Sequence, residues 1–147
     1  MYGNFGQSNY GAAKAGLSGF MRTLCLEGAK YNIKVNALSP VAATRMTEDL
    51  MPPEILAMLD VESVSQGLVY LVCDDAPNRT ILVAGAGGYA ATKVFETDGV
   101  SFAPGEQTAE NVAANWSKII SEDNMLEMTQ GGMQGEKLLK RAAALKS

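Results

Sequence analysis

Tyr10 and Lys14 stand four residues apart in the stretch SNYGAAKAGLSGFMRTL, residues 8–24. In a helix, positions i and i+4 share a face. A phenol is a poor base at neutral pH, because it gives up its proton only near pH ~10. An ammonium held beside a phenol favours the ionised form. The phenol can then serve as a general acid/base near working pH. The same ammonium can donate hydrogen bonds to a sugar hydroxyl. The pair can therefore supply both a proton acceptor and a cofactor anchor. Taken alone, a Tyr–Lys pair at this spacing is more often a solvated surface contact, so the surrounding elements decide.

The pattern around the pair predicts a long helix over 8–31, capped by Ser8 or Asn9. Leu17, Phe20, Met21 and Leu24 recur at three- and four-residue spacing, which predicts one buried face. Gly11, Gly16 and Gly19 each cost roughly 1 kcal/mol relative to Ala in a helix, which suggests a close packing partner. Residues 32–40, NIKVNALSP, alternate Ile33, Val35 and Ala37 as a short strand ended by Pro40. A short helix near 53–59 starts at a Pro-Pro pair. Another helix follows over 60–75, with Val64, Leu68, Leu71 and Val72 on one face. Residues 79–88 read as a second strand running into glycines. Helix then strand then helix then strand indicates a βαβ-type layer. Beyond 88 the pattern turns to strand-like pieces, with Asp98-Gly99 as a hairpin turn. A helix over 108–121 is capped by Thr108 and has Val112, Trp116, Ile119 and Ile120 on one side. A basic-faced C-terminal helix closes the chain.

Composition narrows the function classes. The 147 residues carry a net charge of −4, which argues against nucleic acid as the main partner. There is no histidine, so His-dependent triads and His-ligated metal sites are excluded from this chain, and no metal is expected. Two cysteines make no disulfide framework; both are expected reduced and buried. No apolar run reaches the ~18 residues of a membrane span. The first ten residues lack the features of a signal peptide.

The stretch NYGAAKAGLSGFMRTLCLEGAKYNIKVNALSPVAATRM closely resembles the middle of the short-chain dehydrogenase/reductase family. Helix, strand and loop come in the family's order. The resemblance implies Tyr10 as general acid/base. It implies Lys14 as the residue that acts on the Tyr10 phenol and binds the nicotinamide ribose. Pro40 opens the implied cofactor loop. Val41 stands where many members have glycine, and Ala42, Ala43, Thr44 and Arg45 complete the loop. Thr44 sits one residue earlier than in the commonest family form. The implied cofactor is NAD, with NADP open.

The segments YGNFGQSNYGAAK, APNRTILVAGAGG and GEQTAENVAANWSKI are together similar to one branch, the (3R)-hydroxyacyl-CoA dehydrogenase part of peroxisomal multifunctional enzyme type 2 and its bacterial relatives. That likeness implies oxidation of 3-hydroxyacyl-CoA to 3-oxoacyl-CoA. An NADPH-dependent 3-oxoacyl-acyl-carrier-protein reductase and a non-catalytic association module remain as alternatives. The family's glycine-rich nucleotide turn, catalytic serine and catalytic asparagine lie upstream of its tyrosine. The resemblance thus implies the C-terminal half of an enzyme, inactive by itself.

The expected fold class is α/β, the C-terminal part of a doubly wound parallel-sheet, Rossmann-like domain over 1–88, with an appended extension over 89–147. A homodimer or higher homo-oligomer, an acyl-CoA-type substrate and a cytoplasmic setting (peroxisomal in a eukaryotic multifunctional enzyme) complete the expectation. GAGGYA, 85–90, matches a dinucleotide fingerprint in letters, but the β-branched, turn-rich residues after it predict a close-packed turn instead. The pairs Glu48/Asp49 and Asp74/Asp75 read as solvated charges. Met46, Met51 and Met58 fit an acyl pocket or ordinary packing equally well.

Overall fold

The computed structural model describes residues 2–45 and 51–145. The chain divides into two compact units, Met1–Thr92 and Lys93–Ser147. The first carries α1 (Ser8–Gly28), β1 (Ala37–Pro40), α2 (Pro53–Leu56), α3 (Val61–Leu71), β2 (Ile81–Gly85) and β3 (Gly88–Thr92). Its sheet runs β1-β2-β3. β1 and β2 are parallel, pairing Ala37 with Ile81 and Pro40 with Ala84, while β3 returns antiparallel and pairs Tyr89 with Ala84.

α1 begins after Gln7 without a side-chain cap, so neither Ser8 nor Asn9 performs that role. The Gln7 carbonyl accepts from the Gly11 amide at 2.8 Å instead. The helix tightens into a 3-10 turn over Ala29–Tyr31 and ends where Asn32 turns left-handed at φ 55, a common asparagine role at a helix stop. The Ile33 amide then returns to the Gly28 carbonyl at 3.1 Å. Strand pairing starts only at Ala37, five residues later than the pattern predicts. The reason is side-chain competition with the ladder. Asn36 uses its Oδ1 to accept from the Thr80 amide at 3.0 Å and its Nδ2 to donate to the Pro77 carbonyl at 2.7 Å. Asn78 Oδ1 takes the Val35 amide at 2.8 Å.

α3 is capped by Asp60, whose carboxylate accepts from the Ser63 amide at 2.7 Å. β2 and β3 join through Ala86 and Gly87, whose φ angles of 50 and 71 are both positive. That is the two-residue hairpin geometry matched to strand twist. The glycine-rich GAGGYA segment is therefore a hairpin.

The core is small: Met21, Cys25, Leu59, Leu71, Ala76, Ile81 and Ala84. On α1 the buried stripe is Met21, Cys25 and Gly28. Leu17 and Phe20, expected on a buried face, are 54% and 62% exposed. A methyl group placed on Gly11, Gly16 or Gly19 would meet nothing within 4 Å, so the described residues supply no close partner at these glycines. On α3, Leu68 and Val72 are also exposed, as are Met51 and Met58. Cys25 is buried as expected, but Cys73 is exposed, because it follows the end of α3. Met46 and the Glu48/Asp49 pair lie outside the described residues.

The second unit holds β4 (Phe95–Glu96), α4 (Ala109–Ala114), α5 (Trp116–Ile119), β5 (Leu126–Glu127) and α6 (Gly132–Ala144). β4 pairs with β5, Phe95 opposite Glu127, so Asp98-Gly99 does not close a hairpin. The predicted helix over 108–121 starts at its Thr108 cap but breaks at Asn115, whose side chain donates back to the Asn111 carbonyl at 2.9 Å. α6 turns basic residues inward, against the expectation of an outward basic face. Lys137 pairs with Glu96 and donates to the Thr97 carbonyl at 2.9 Å. Arg141 pairs with Asp98 and donates to the Gly99 carbonyl at 2.8 Å.

Candidate active site

Helical geometry places Tyr10 and Lys14 on one face of the first turns of α1, with the Lys14 ammonium 5.4 Å from the centroid of the Tyr10 ring. Tyr10 is 55% exposed, so its phenol is open to a reactant. A cleft of about 260 Å³ lies between this face and β1. Tyr10, Lys14, Leu17 and Ser18 form one wall; Ala37 to Pro40 and Ile81 form the other.

The sheet register fixes why. Ile81 sits beside Ala37, and alternation along a strand sends Leu82 and Ala84 to the opposite face. That opposite face packs on α3, where the Gly67 backbone comes close to Leu82, Ala84 and the Tyr89 ring. The parallel pair β1–β2 thus has α1 on one side and α3 on the other, the layering of an α/β fold.

Of the sequence-derived residues, Tyr10, Lys14 and Pro40 border this cleft together. Val41 lies elsewhere: with Leu59, Gly85 and Tyr89 it lines a second, apolar cavity of about 380 Å³. Its amide donates to the Ala84 carbonyl at 2.8 Å. Ala42 and Ala43 are half-buried and Thr44 and Arg45 exposed. The Ala43 amide donates to the Leu59 carbonyl at 2.8 Å, so the loop is tied at two points. Ser18 and Ser39 were not singled out from the sequence, and Leu17 was expected on a buried helix face. The signal was present, since Tyr10, Lys14, Leu17 and Ser18 follow the i, i+4, i+7, i+8 spacing of one helix face. Asp74 and Asp75 are exposed and away from the cleft's lining.

This arrangement can exchange a proton at the Tyr10 phenol and present a cation beside it. Ala37 and Ile81 give the cleft an apolar side next to these polar groups. The glycine-rich turn Gly85–Gly88 leads into a strand, so it offers no helix N-terminus to a pyrophosphate.

Residues 1–54 match the family described as short chain dehydrogenase. A putative short-chain type dehydrogenase/reductase of Mycobacterium tuberculosis is 48% identical over 120 residues, which is 81% of this chain and 42% of that protein. Peroxisomal multifunctional enzyme type 2 of Mus musculus is 38% identical over 128 residues, 84% of this chain and 17% of the mouse protein. The structure of full-length peroxisomal multifunctional enzyme type 2 from Drosophila melanogaster superposes with a TM-score of 0.85 at 26% identity, over 98% of this chain and 27% of the fly chain. The chain thus spans less than half the length of these relatives. With the α1–β1 cleft and the layered α/β sheet beside them, these likenesses agree in one direction: the chain is similar to members of the short-chain dehydrogenase/reductase family.

Proposed function

We propose that this chain is part of an NAD-dependent oxidoreductase that interconverts 3-hydroxyacyl-CoA and 3-oxoacyl-CoA. The observation that carries the reading is the convergence of Tyr10, Lys14 and Pro40 on one cleft along β1. The similarity to peroxisomal multifunctional enzyme type 2, which extends through the second unit, favours a CoA thioester over other alcohols.

When bound, a nicotinamide dinucleotide supplies a ring carbon that accepts hydride. With the phenol ionised, the Tyr10 oxygen would take the proton of the substrate hydroxyl while the carbon–hydrogen electron pair leaves as hydride, and the carbonyl forms. In the reverse direction Tyr10 returns that proton. Lys14 presents three N–H donors and a positive charge to the same cleft and would hold a ribose hydroxyl. The main chain of Pro40, Val41, Ala42, Ala43, Thr44 and Arg45 would hold the nicotinamide end. This division of labour is positioning plus proton transfer, with the redox chemistry left to the cofactor.

The test is an absorbance assay of the full-length protein with (3R)-hydroxyacyl-CoA and either NAD or NADP, beside the same acyl group on acyl-carrier protein. Preferred turnover of the CoA thioester with NAD supports the reading. Preferred reduction of the carrier-protein substrate with NADPH replaces it with the reductase alternative.

A further inference from the structure

We propose that Gly85, at the end of β2, is a positioning residue for the loop Pro40–Arg45. The inference rests on reading that loop as the nicotinamide-side cofactor loop. A Cβ on Gly85 would stand 2.3 Å from the Val41 carbonyl oxygen, 2.8 Å from the Val41 Cβ and 3.1 Å from its carbonyl carbon. The nearest of these is main chain, so no rotamer change relieves it. The carbonyl cannot swing away freely either, because the amide of the same residue donates to the neighbouring Ala84 carbonyl at 2.8 Å.

Conformation does not explain this glycine. Gly85 is outside the set with positive φ, whereas Gly87 in the same hairpin has φ +71 and open space around it. Gly87 is needed for the turn, and Gly85 for the approach of the loop. At Gly67 an added methyl would meet only side-chain atoms, 3.1 to 3.3 Å away, which can yield. At Gly85 something larger must move, and the hairpin is the fixed partner. It is paired along β2–β3 and pinned by the Tyr89 hydroxyl, which donates to the Ser63 carbonyl at 2.7 Å. The loop has the cavity of about 380 Å³ next to Val41 to move into. A methyl at 85 therefore displaces the loop and leaves the sheet standing.

The test compares Gly85→Ala with Gly87→Ala in the full-length protein, using NAD titration by fluorescence and a thermal melt. Gly85→Ala is expected to weaken NAD binding about tenfold or more, the scale of a misplacement near 1 Å. Gly87→Ala strains the same turn and is expected to lower the melting midpoint while leaving NAD affinity within about twofold, since it does not reach the loop. A folded Gly85→Ala protein with unchanged NAD affinity overturns the proposal, as does an equal loss of affinity in both variants. Hydrogen exchange in the unmodified protein supplies an arm that needs neither variant nor cofactor. The Val41 amide is expected to exchange with the hairpin amides as one unit. Exchange far faster than the hairpin overturns the proposal even where Gly85→Ala does not fold. Failure of the unmodified protein to bind NAD contradicts the cofactor reading, and the exchange result still decides whether Gly85 and its hairpin hold the loop.

Discussion

At Tyr10 and Lys14 the chemistry depends on a helix repeat and on exposure. One turn of α1 places the ammonium 5.4 Å from the ring centroid, and the exposed phenol faces the cleft along β1. Both residues were legible from their spacing and from the family-like stretch around them. Ser18 and Ser39 were legible only in principle, because nothing but their position marks them. Gly85 was not legible, since its importance lies in a carbonyl forty-four residues earlier in the chain coming within 2.3 Å of its absent Cβ. Lys14 is proposed to hold the ribose, so Lys14→Met in the full-length protein is expected to weaken NAD binding and to lower turnover. Loss of a charge-assisted hydrogen bond is worth about 1.5–3 kcal/mol, or roughly ten- to a hundredfold in affinity. Calorimetric titration with NAD checks this, and an unchanged dissociation constant would return Lys14 to an ordinary surface role.

Among the elements, those set by local pattern were read well and those set by distant partners were not. α1 and α3 form close to where the pattern places them, although Leu17, Phe20, Leu68 and Val72 of their apolar repeats are exposed. β1 came out shorter than its alternation suggests because Asn36 spends its side chain on the Thr80 amide. The Asp98-Gly99 signal misled for a related reason. The residues flanking it pair with nothing local; Arg141 of α6 takes both the Asp98 carboxylate and the Gly99 carbonyl. Sequence patterns carry no trace of such long-range ion pairs. The clamp has a pH consequence. The hydrogen bond from Lys137 chiefly, helped by one from Gln134, holds the Glu96 carboxyl below its ordinary value against an opposing effect of burial. A carboxylate favoured in the folded state stabilises it above the unfolded pKa of about 4.3 and loses that contribution as pH falls through the folded value. The second unit is therefore expected to loosen as pH drops below about 4. Glu96→Gln is expected to flatten that acid limb, as read by Trp116 fluorescence against pH. An identical limb in the variant would assign the transition to other carboxylates.

For the molecule as a whole, the notable property is how much apolar side chain stays uncovered. Leu17 and Phe20 on α1, which share that helix with glycines that have open space around them, and Leu68 and Val69 on α3 with Val72 just past its end, are about half exposed or more. An open apolar helix face is an association surface or an aggregation hazard. We propose that the homo-oligomer expected of the full-length protein pairs through α1 and α3. Gly19→Trp, at a position where an added Cβ would meet no described atom within 4 Å, is expected to dissociate the full-length oligomer while leaving the monomer folded. Light scattering checks it; a monomeric unmodified protein, or an oligomer indifferent to the substitution, contradicts the interface. Tyr10 is the proposed proton acceptor, and one comparison tests that role most directly. Oxidation of (3R)-hydroxyacyl-CoA by the full-length protein is measured beside that of its Tyr10→Phe variant, with NAD binding followed in both. The prediction is a loss of turnover of at least ~10²-fold, the scale of general acid–base catalysis, with NAD still bound. Turnover close to that of the unmodified protein would contradict it.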